Sequence, residues 1–178
     1  MEEGKEKKEY VKRDRPQWDE SFMFNALWAA ARSSCRHFQT GAVIARDKRI
    51  IATGYNGAPP NIENCLERGC RKDDSGVKFD DKGKGVCRGT HAEMNALSQV
   101  GRWELEGTSL YSVYFPCSAC AKAIAGSGIG DVIYSRIYKE IDSLTADIFA
   151  EAGIRLRKFE LTDERLERYF AMIRAIMK

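Results

Sequence analysis

The stretch GTHAEMNALSQV, residues 89–100, holds one of only two histidines in a chain of 178 residues. His91 stands two positions before a carboxylate, Glu93, at the head of a segment whose apolar residues recur at helical spacing. Further along, PCSAC sets Cys117 and Cys120 three residues apart, so both thiols share one face of a helix's first turn. His91 and this pair make a three-donor set for one zinc ion, which takes neutral imidazole and thiolates readily. A catalytic zinc keeps its fourth position open for water and draws that water's pKa down toward ~7. Helix starts favour thiolates, because their N–H groups and dipole ends are positive. Glu93 is close to the set without being needed as a fourth ligand, which makes it the candidate for moving protons. Taken alone, His91 also reads as a satisfied core histidine, and a lone C-x-x-C as a structural or redox pair.

Alternation on either side of these motifs decides the fold class. Residues 18–34 carry Phe22, Phe24, Leu27 and Trp28 at helical spacing and predict a first helix. TGAVIARDKRIIATGYNG gives two β-branched runs separated by RDK, a hairpin whose second strand Gly54 and Gly57 break. A long polar stretch follows over residues 58–89, uncommon in a compact domain unless functional, disordered or pinned. Beyond it come a helix over 91–100, strand SLYSVYF, a helix over 117–125, strand DVIYS, helix SLTADIFAEAG, strand IRLRKF and a last helix from about Thr162. Strands alternating with helices predict an α/β layered sheet.

Length and composition bound the rest. One domain accounts for 178 residues, with 43% hydrophobic and 31% charged residues, the profile of an ordinary globular protein. A formal charge of +3 is too small to argue for nucleic acid. The opening MEEGKEKKEYVKRDRPQW mixes signs and lacks the apolar centre of a signal peptide, and no apolar run approaches the ~20 residues that span a bilayer. The expectation is a cytoplasmic protein with no membrane partner, a charged flexible segment over 1–16 and a single domain over 17–178 with a cysteine-rich loop at 58–90. Six cysteines in the cytosol read as thiols, metal ligands or catalytic groups before they read as disulfides.

H-x-E followed by P-C-x-x-C is the order found in zinc-dependent nucleobase deaminases. More than this order matches: WDESFMFNALWAAARSSC, GYNGAP, CRGTHAEMNAL, FPCSACAKAIAGSGI and VIYSRIY resemble the deoxycytidylate (dCMP) deaminases over roughly residues 18–159. The resemblance implies a three-layer cytidine-deaminase-like fold, a central mixed sheet of about five strands flanked by helices. It implies hydrolysis of dCMP to dUMP and ammonia, a supply route for thymidylate, with Glu93 carrying protons to N3 and the leaving amine. By the same resemblance the Ala92 N–H faces the pyrimidine O2 and Tyr138 stacks on the base, although Tyr138 equally reads as a half-buried tyrosine at a strand end. Asn56 would meet sugar or phosphate. Gly54, Tyr55, Asn56 and Gly57 would border a site for dCTP or dTTP, with Mg2+ accompanying the triphosphate, whereas the bare GYNG is only a turn signal. Many relatives carry an arginine where this chain has His37, a weaker and pH-dependent phosphate clamp, so either Arg36 substitutes or phosphate recognition differs.

Cys35, Cys65, Cys70 and Cys87 remain, the number that a closed tetrahedral zinc requires. The resemblance implies such a structural zinc, which would pin the loop to the first helix; free buried thiols or one disulfide are the alternatives. It also implies a homo-oligomer, usually a hexamer. Two rivals stay open: a deaminase of another small cytosine or purine compound such as cytidine, dCTP or guanine, and a non-catalytic zinc-stabilised module that binds nucleic acid.

Overall fold

A two-residue turn at Asp47 and Lys48, both at positive φ (47° and 63°), closes the hairpin between β1 (Gly41–Arg46) and β2 (Arg49–Tyr55). Such a turn matches the twist of the strands it joins. The computed structural model describes residues 15–79, 81 and 85–178, so the expected flexible segment at 1–16 lies almost wholly outside the described residues. Within them the order is α1 (Trp18–Ala30), β1, β2, α2 (Cys65–Arg68), α3 (Arg71–Asp74), α4 (Ala92–Leu97) and α5 (Arg102–Leu105). Then come β3 (Ser109–Tyr114), α6 (Ser118–Ala125), β4 (Asp131–Arg136), α7 (Ser143–Glu151), β5 (Arg155–Lys158) and α8 (Asp163–Ile176).

The five strands form one mixed sheet in the order β2-β1-β3-β4-β5. β1 pairs antiparallel with both β2 and β3, and β3, β4 and β5 run parallel through the crossovers α6 and α7. Side-chain alternation sorts each strand between two cores. Ala42, Ile44, Leu110 and Val132 face α4, α6 and α7, where Ile124 and Phe149 complete the cluster. Val43, Ala45, Tyr111, Val113 and Ile133 face the other way, against Phe22, Met23 and Ala26 of α1 and Leu161 before α8. Three layers result, as the family resemblance implies.

Polar contacts pin the outer layer. Asp19 accepts from the Tyr111 hydroxyl at 2.7 Å and from two Arg157 nitrogens at 2.6 and 2.9 Å, tying α1 to β3 and β5. Glu20 is 1% exposed and accepts twice from Arg168 at 2.6 Å, which seats α8 on α1. Phe24 stacks on Tyr169 beside it, with ring centroids 4.1 Å apart.

Several boundaries differ from the sequence expectation. α1 ends at Ala30, not Ser34, and the chain then turns so that Ser33 Oγ donates to the Asn56 carbonyl at 2.8 Å. The helix expected over 91–100 stops at Leu97, and α5 follows after Gly101. The polar stretch 58–89 contains α2 and α3, four residues each, too short for any period to reveal. Among the described residues no helix is long and apolar enough to cross a membrane.

Candidate active site

Two helix starts meet at the C-terminal end of β3. His91 is the N-cap of α4 and Cys117 the N-cap of α6, with Cys120 in the first turn of α6. The approach to His91 is fixed by a bridge between Thr90 and Gly57, with N–H···O distances of 2.8 and 3.2 Å. Asn95 Nδ2 then donates to the Tyr55 carbonyl at 2.8 Å and locks α4 onto β2. On the other side, the Asp142 carboxylate accepts from Ser118 N at 2.9 Å, and the buried Thr145 hydroxyl donates to the Pro116 carbonyl at 3.0 Å. The start of α7 thus holds the PCSAC turn in place.

His91 Nδ1 lies 3.4 Å from Cys117 Sγ and 3.3 Å from Cys120 Sγ. A tetrahedral zinc with nitrogen and sulfur ligands has N···S edges of about 3.5 Å, so the three donors fit that ion. The set grades from exposed at His91 to buried at Cys120, which leaves one side accessible to a fourth ligand. A hydrogen bond from Cys120 holds the Cys117 thiol down to about 3, with His91 adding to the effect. The bond to Cys117, burial and the nearby Glu93 carboxylate push the Cys120 thiol far up. A bound dication would favour the thiolate form of both cysteines.

Glu93, 5% exposed in the first turn of α4, has its two oxygens in different company. Oε1 accepts from Ser112 Oγ at 2.9 Å, and Oε2 lies 3.5 Å from Cys120 Sγ. A carboxylate thus stands against the edge of the donor set. Ala92 is fully buried at the first position of α4.

The remaining sequence candidates have separate surroundings. Tyr138, after β4, packs edge-on against Phe38 at 4.8 Å, and Phe38 meets Tyr114 at 4.6 Å, forming an aromatic wall that includes a residue the sequence reading did not single out. Asn56 is committed to the backbone: Oδ1 accepts from Thr40 N at 2.9 Å and Nδ2 donates to the Phe38 carbonyl at 2.7 Å. It ties Phe38 and Thr40 to the end of β2. His37 Nε2 sits 2.8 and 2.9 Å from the Asp73 oxygens, and its ring stacks on Phe79 at 5.0 Å, while Arg36 is exposed. Gly54 is a packing position, since a Cβ there would lie 2.2 Å from the Ala92 carbonyl oxygen.

Among the described residues, two groups bring one ligand atom each within 4.8 Å of one another: His91 with Cys117 and Cys120, and His37 with Cys70 and Asp73. The four cysteines Cys35, Cys65, Cys70 and Cys87 do not form such a group among the described residues, and Cys70 lies instead with His37 and Asp73. Cys65 is nonetheless near enough to Cys70 and Cys35 for their charges to add to the burial that raises its thiol pKa, and an Arg88 hydrogen bond opposes the rise.

One histidine and two cysteines at helix starts with an adjoining glutamate make up the site type of the zinc deaminases. Residues 16–136 match the family described as the cytidine and deoxycytidylate deaminase zinc-binding region, and the chain belongs to that family. It is 40% identical over 151 residues to a deoxycytidylate deaminase of Saccharomyces cerevisiae, covering 84% of this chain and 47% of the yeast protein. It is 37% identical over 150 residues to the deoxycytidylate deaminase of Homo sapiens, covering 82% of each. The chain thus spans about half the length of its yeast relative and most of the human one. Among solved structures, the dCMP deaminase of cyanophage S-TIM5 in complex with dCMP and dUMP superposes with a TM-score of 0.65 at 26% identity, covering 83% of this chain and all of that one.

Proposed function

We propose that this protein hydrolyses dCMP to dUMP and ammonia in the cytoplasm, feeding thymidylate synthesis. The observation that carries the reading is the Glu93 carboxylate held against the His91, Cys117 and Cys120 donor set. Relatives named deoxycytidylate deaminase support the substrate. Zinc held by those three residues supplies a Lewis acid that makes water nucleophilic near neutral pH. Glu93 takes the first proton from the attacking water and gives it to N3 of the base, then takes the second from the oxygen added at C4 and gives it to the departing amine. Oxygen replaces the amino group at C4 and ammonia leaves, so atoms and charge balance. The Ala92 N–H faces the pyrimidine O2, and Tyr138, backed by Phe38, stacks on the base.

For the phosphate, Arg36 is the exposed cation nearest in sequence to the expected clamp, and His37 contributes only when Asp73 releases it. Asn56 acts on sugar or phosphate chiefly through the Phe38–Thr40 backbone it holds. A cavity of about 500 Å³ lined by Thr53, Tyr55, Ala58, Pro60, Asn95 and Gln99 borders Gly54 to Gly57 and supports a dCTP or dTTP effector site there, with Mg2+ on the triphosphate. Cys35, Cys65, Cys70 and Cys87 hold a second, structural zinc that orders the loop. Exposed Met94 and Trp103, on the side of the sheet that carries α4, support assembly into a homo-oligomer, a hexamer by family resemblance.

The test is zinc analysis combined with turnover of dCMP, deoxycytidine, cytidine, dCTP and guanine by one preparation. Preference for dCMP with zinc bound agrees with the proposal. Faster turnover of another member of the panel, or none of dCMP, refutes it.

A further inference from the structure

Ser112 is the polar member of an otherwise apolar strand face. On β3, Leu110 and Ser112 point to the same side, and both are 0% exposed. Ser112 lies between Ala42 of β1 and Tyr134 of β4 in the sheet register, under α4. A hydroxyl buried among apolar groups is unfavourable unless it finds a partner. Its partner is Glu93 Oε1, 2.9 Å away, on a different element 19 residues earlier in the chain.

We propose that Ser112 is a positioning residue for the deamination, holding Glu93 Oε1 so that Oε2, beside Cys120, is the oxygen that takes up and releases the proton. The inference rests on the deaminase reading of the site. An ionised carboxylate only accepts hydrogen bonds, so the serine must donate. When Oε2 carries the proton, Oε1 still has lone pairs for the same donor, and the bond persists through both halves of the transfer. Without it the terminal torsion of a glutamate is broad and roughly two-fold, and either oxygen can turn toward the substrate. No charge, metal ligand or substrate contact is assigned to Ser112 itself. It acts through Glu93.

Steady-state kinetics on zinc-loaded wild type, Ser112→Ala, Ser112→Thr, Glu93→Gln and the double variant Ser112→Ala/Glu93→Gln test the role. Loss of a hydrogen bond to a charged group predicts kcat lower by about 10- to 100-fold in Ser112→Ala, with zinc content retained and KM within about twofold. Ser112→Thr, which keeps the hydroxyl, restores kcat to within about threefold of wild type. In the Glu93→Gln background Ser112→Ala lowers the residual rate by less than about twofold, because residues that act as a unit are not additive. A wild-type kcat in Ser112→Ala, an equal fractional loss in both backgrounds, or a loss of zinc that accounts for the defect overturns the proposal. Should threonine destabilise the packed site, the alanine cycle decides alone.

An infrared arm separates this inference from the substrate reading. The Glu93 carboxylate band, isolated in zinc-loaded protein as the difference between each Glu93 form and its Glu93→Gln counterpart, shifts in Ser112→Ala if the hydrogen bond is formed. Wild type inactive on dCMP refutes the substrate and leaves the infrared result to judge the contact. An unmoved band overturns the role of Ser112 whatever the substrate.

Discussion

Replacing Gly54 by alanine tests how closely the site depends on the contact between β2 and α4. The added Cβ would sit 2.2 Å from the Ala92 carbonyl oxygen and 2.4 Å from Ala96 N, both backbone atoms of α4. Ordinary contact begins near 3.5 Å, so the helix must retreat by about 1 Å. No side-chain rotation relieves such a clash. α4 carries Glu93 and has His91 as its N-cap, so the retreat moves the carboxylate and the imidazole away from Cys117 and Cys120. A misplacement of ~1 Å is enough to lower a rate by about 10²-fold. Overpacking also destabilises by roughly 1–3 kcal/mol, and a chain of this size loses about 2–4 °C of melting temperature per kcal/mol. Thermal melts, zinc content and kcat/KM on dCMP should therefore all fall together. Gly126→Ala is the control, since its φ of −78° suits any residue and its Cβ would meet nothing closer than 3.6 Å. Gly54→Ala with wild-type activity and melting temperature would refute the argument that this glycine seats α4.

Other perturbations separate the remaining contacts. Cys120→Ser should lose zinc together with activity, because a hydroxyl is a far poorer zinc ligand than a thiolate; retained zinc on metal analysis would remove Cys120 from the ligand set. Asp19→Asn weakens the acceptor shared by Tyr111 and Arg157 and should destabilise by roughly 1 kcal/mol in denaturant titrations, the exposed part of the ion pair adding little. The Arg157 hydrogen bond holds the Asp19 carboxyl below its usual range, so its contribution is present above about pH 4 and disappears as pH falls through the lowered folded value. Wild type and Asp19→Asn should converge in that acid range, and a constant gap would contradict the assignment. Cys70→Ala should remove about one of two zincs per chain, lower the melting temperature and leave the His91 site loaded; a single zinc in the wild type would show that the loop is ordered by packing instead.

Much of this architecture was legible because its signals are local. The hairpin follows from β-branched runs about a short polar break, and the parallel half of the sheet from strands separated by helix-length segments. Cys117 and Cys120 were legible because a spacing of three sets both thiols on one face of a helix turn, and His91 and Glu93 because they stand two apart at a helix start, in the order H-x-E before P-C-x-x-C. Long-range pairings left no such trace. The partner of Ser112 is found only when β3 passes under α4, though a serine inside SLYSVYF is the kind of buried polar residue that asks for one. His37 meets Asp73, 36 residues away, through a loop whose four-residue helices carry no readable period. Asn56 was legible as a turn residue, but its role of imitating a strand partner for Phe38 and Thr40 depends on where α1 ends. Gly54 looked like a strand breaker and is instead a strand residue under a helix, a distinction only packing makes.

The central claim is that Glu93 moves protons for a hydrolytic deamination beside a zinc held by His91, Cys117 and Cys120. Parallel measurement of dUMP and ammonia released from dCMP by zinc-loaded wild type and Glu93→Gln tests it most directly. The account predicts equimolar dUMP and ammonia from wild type, and from Glu93→Gln an unchanged zinc content with a rate lower by at least ~10²-fold, the low end for removing a positioned acid–base group. Turnover by Glu93→Gln near the wild-type rate, with zinc bound, would contradict it.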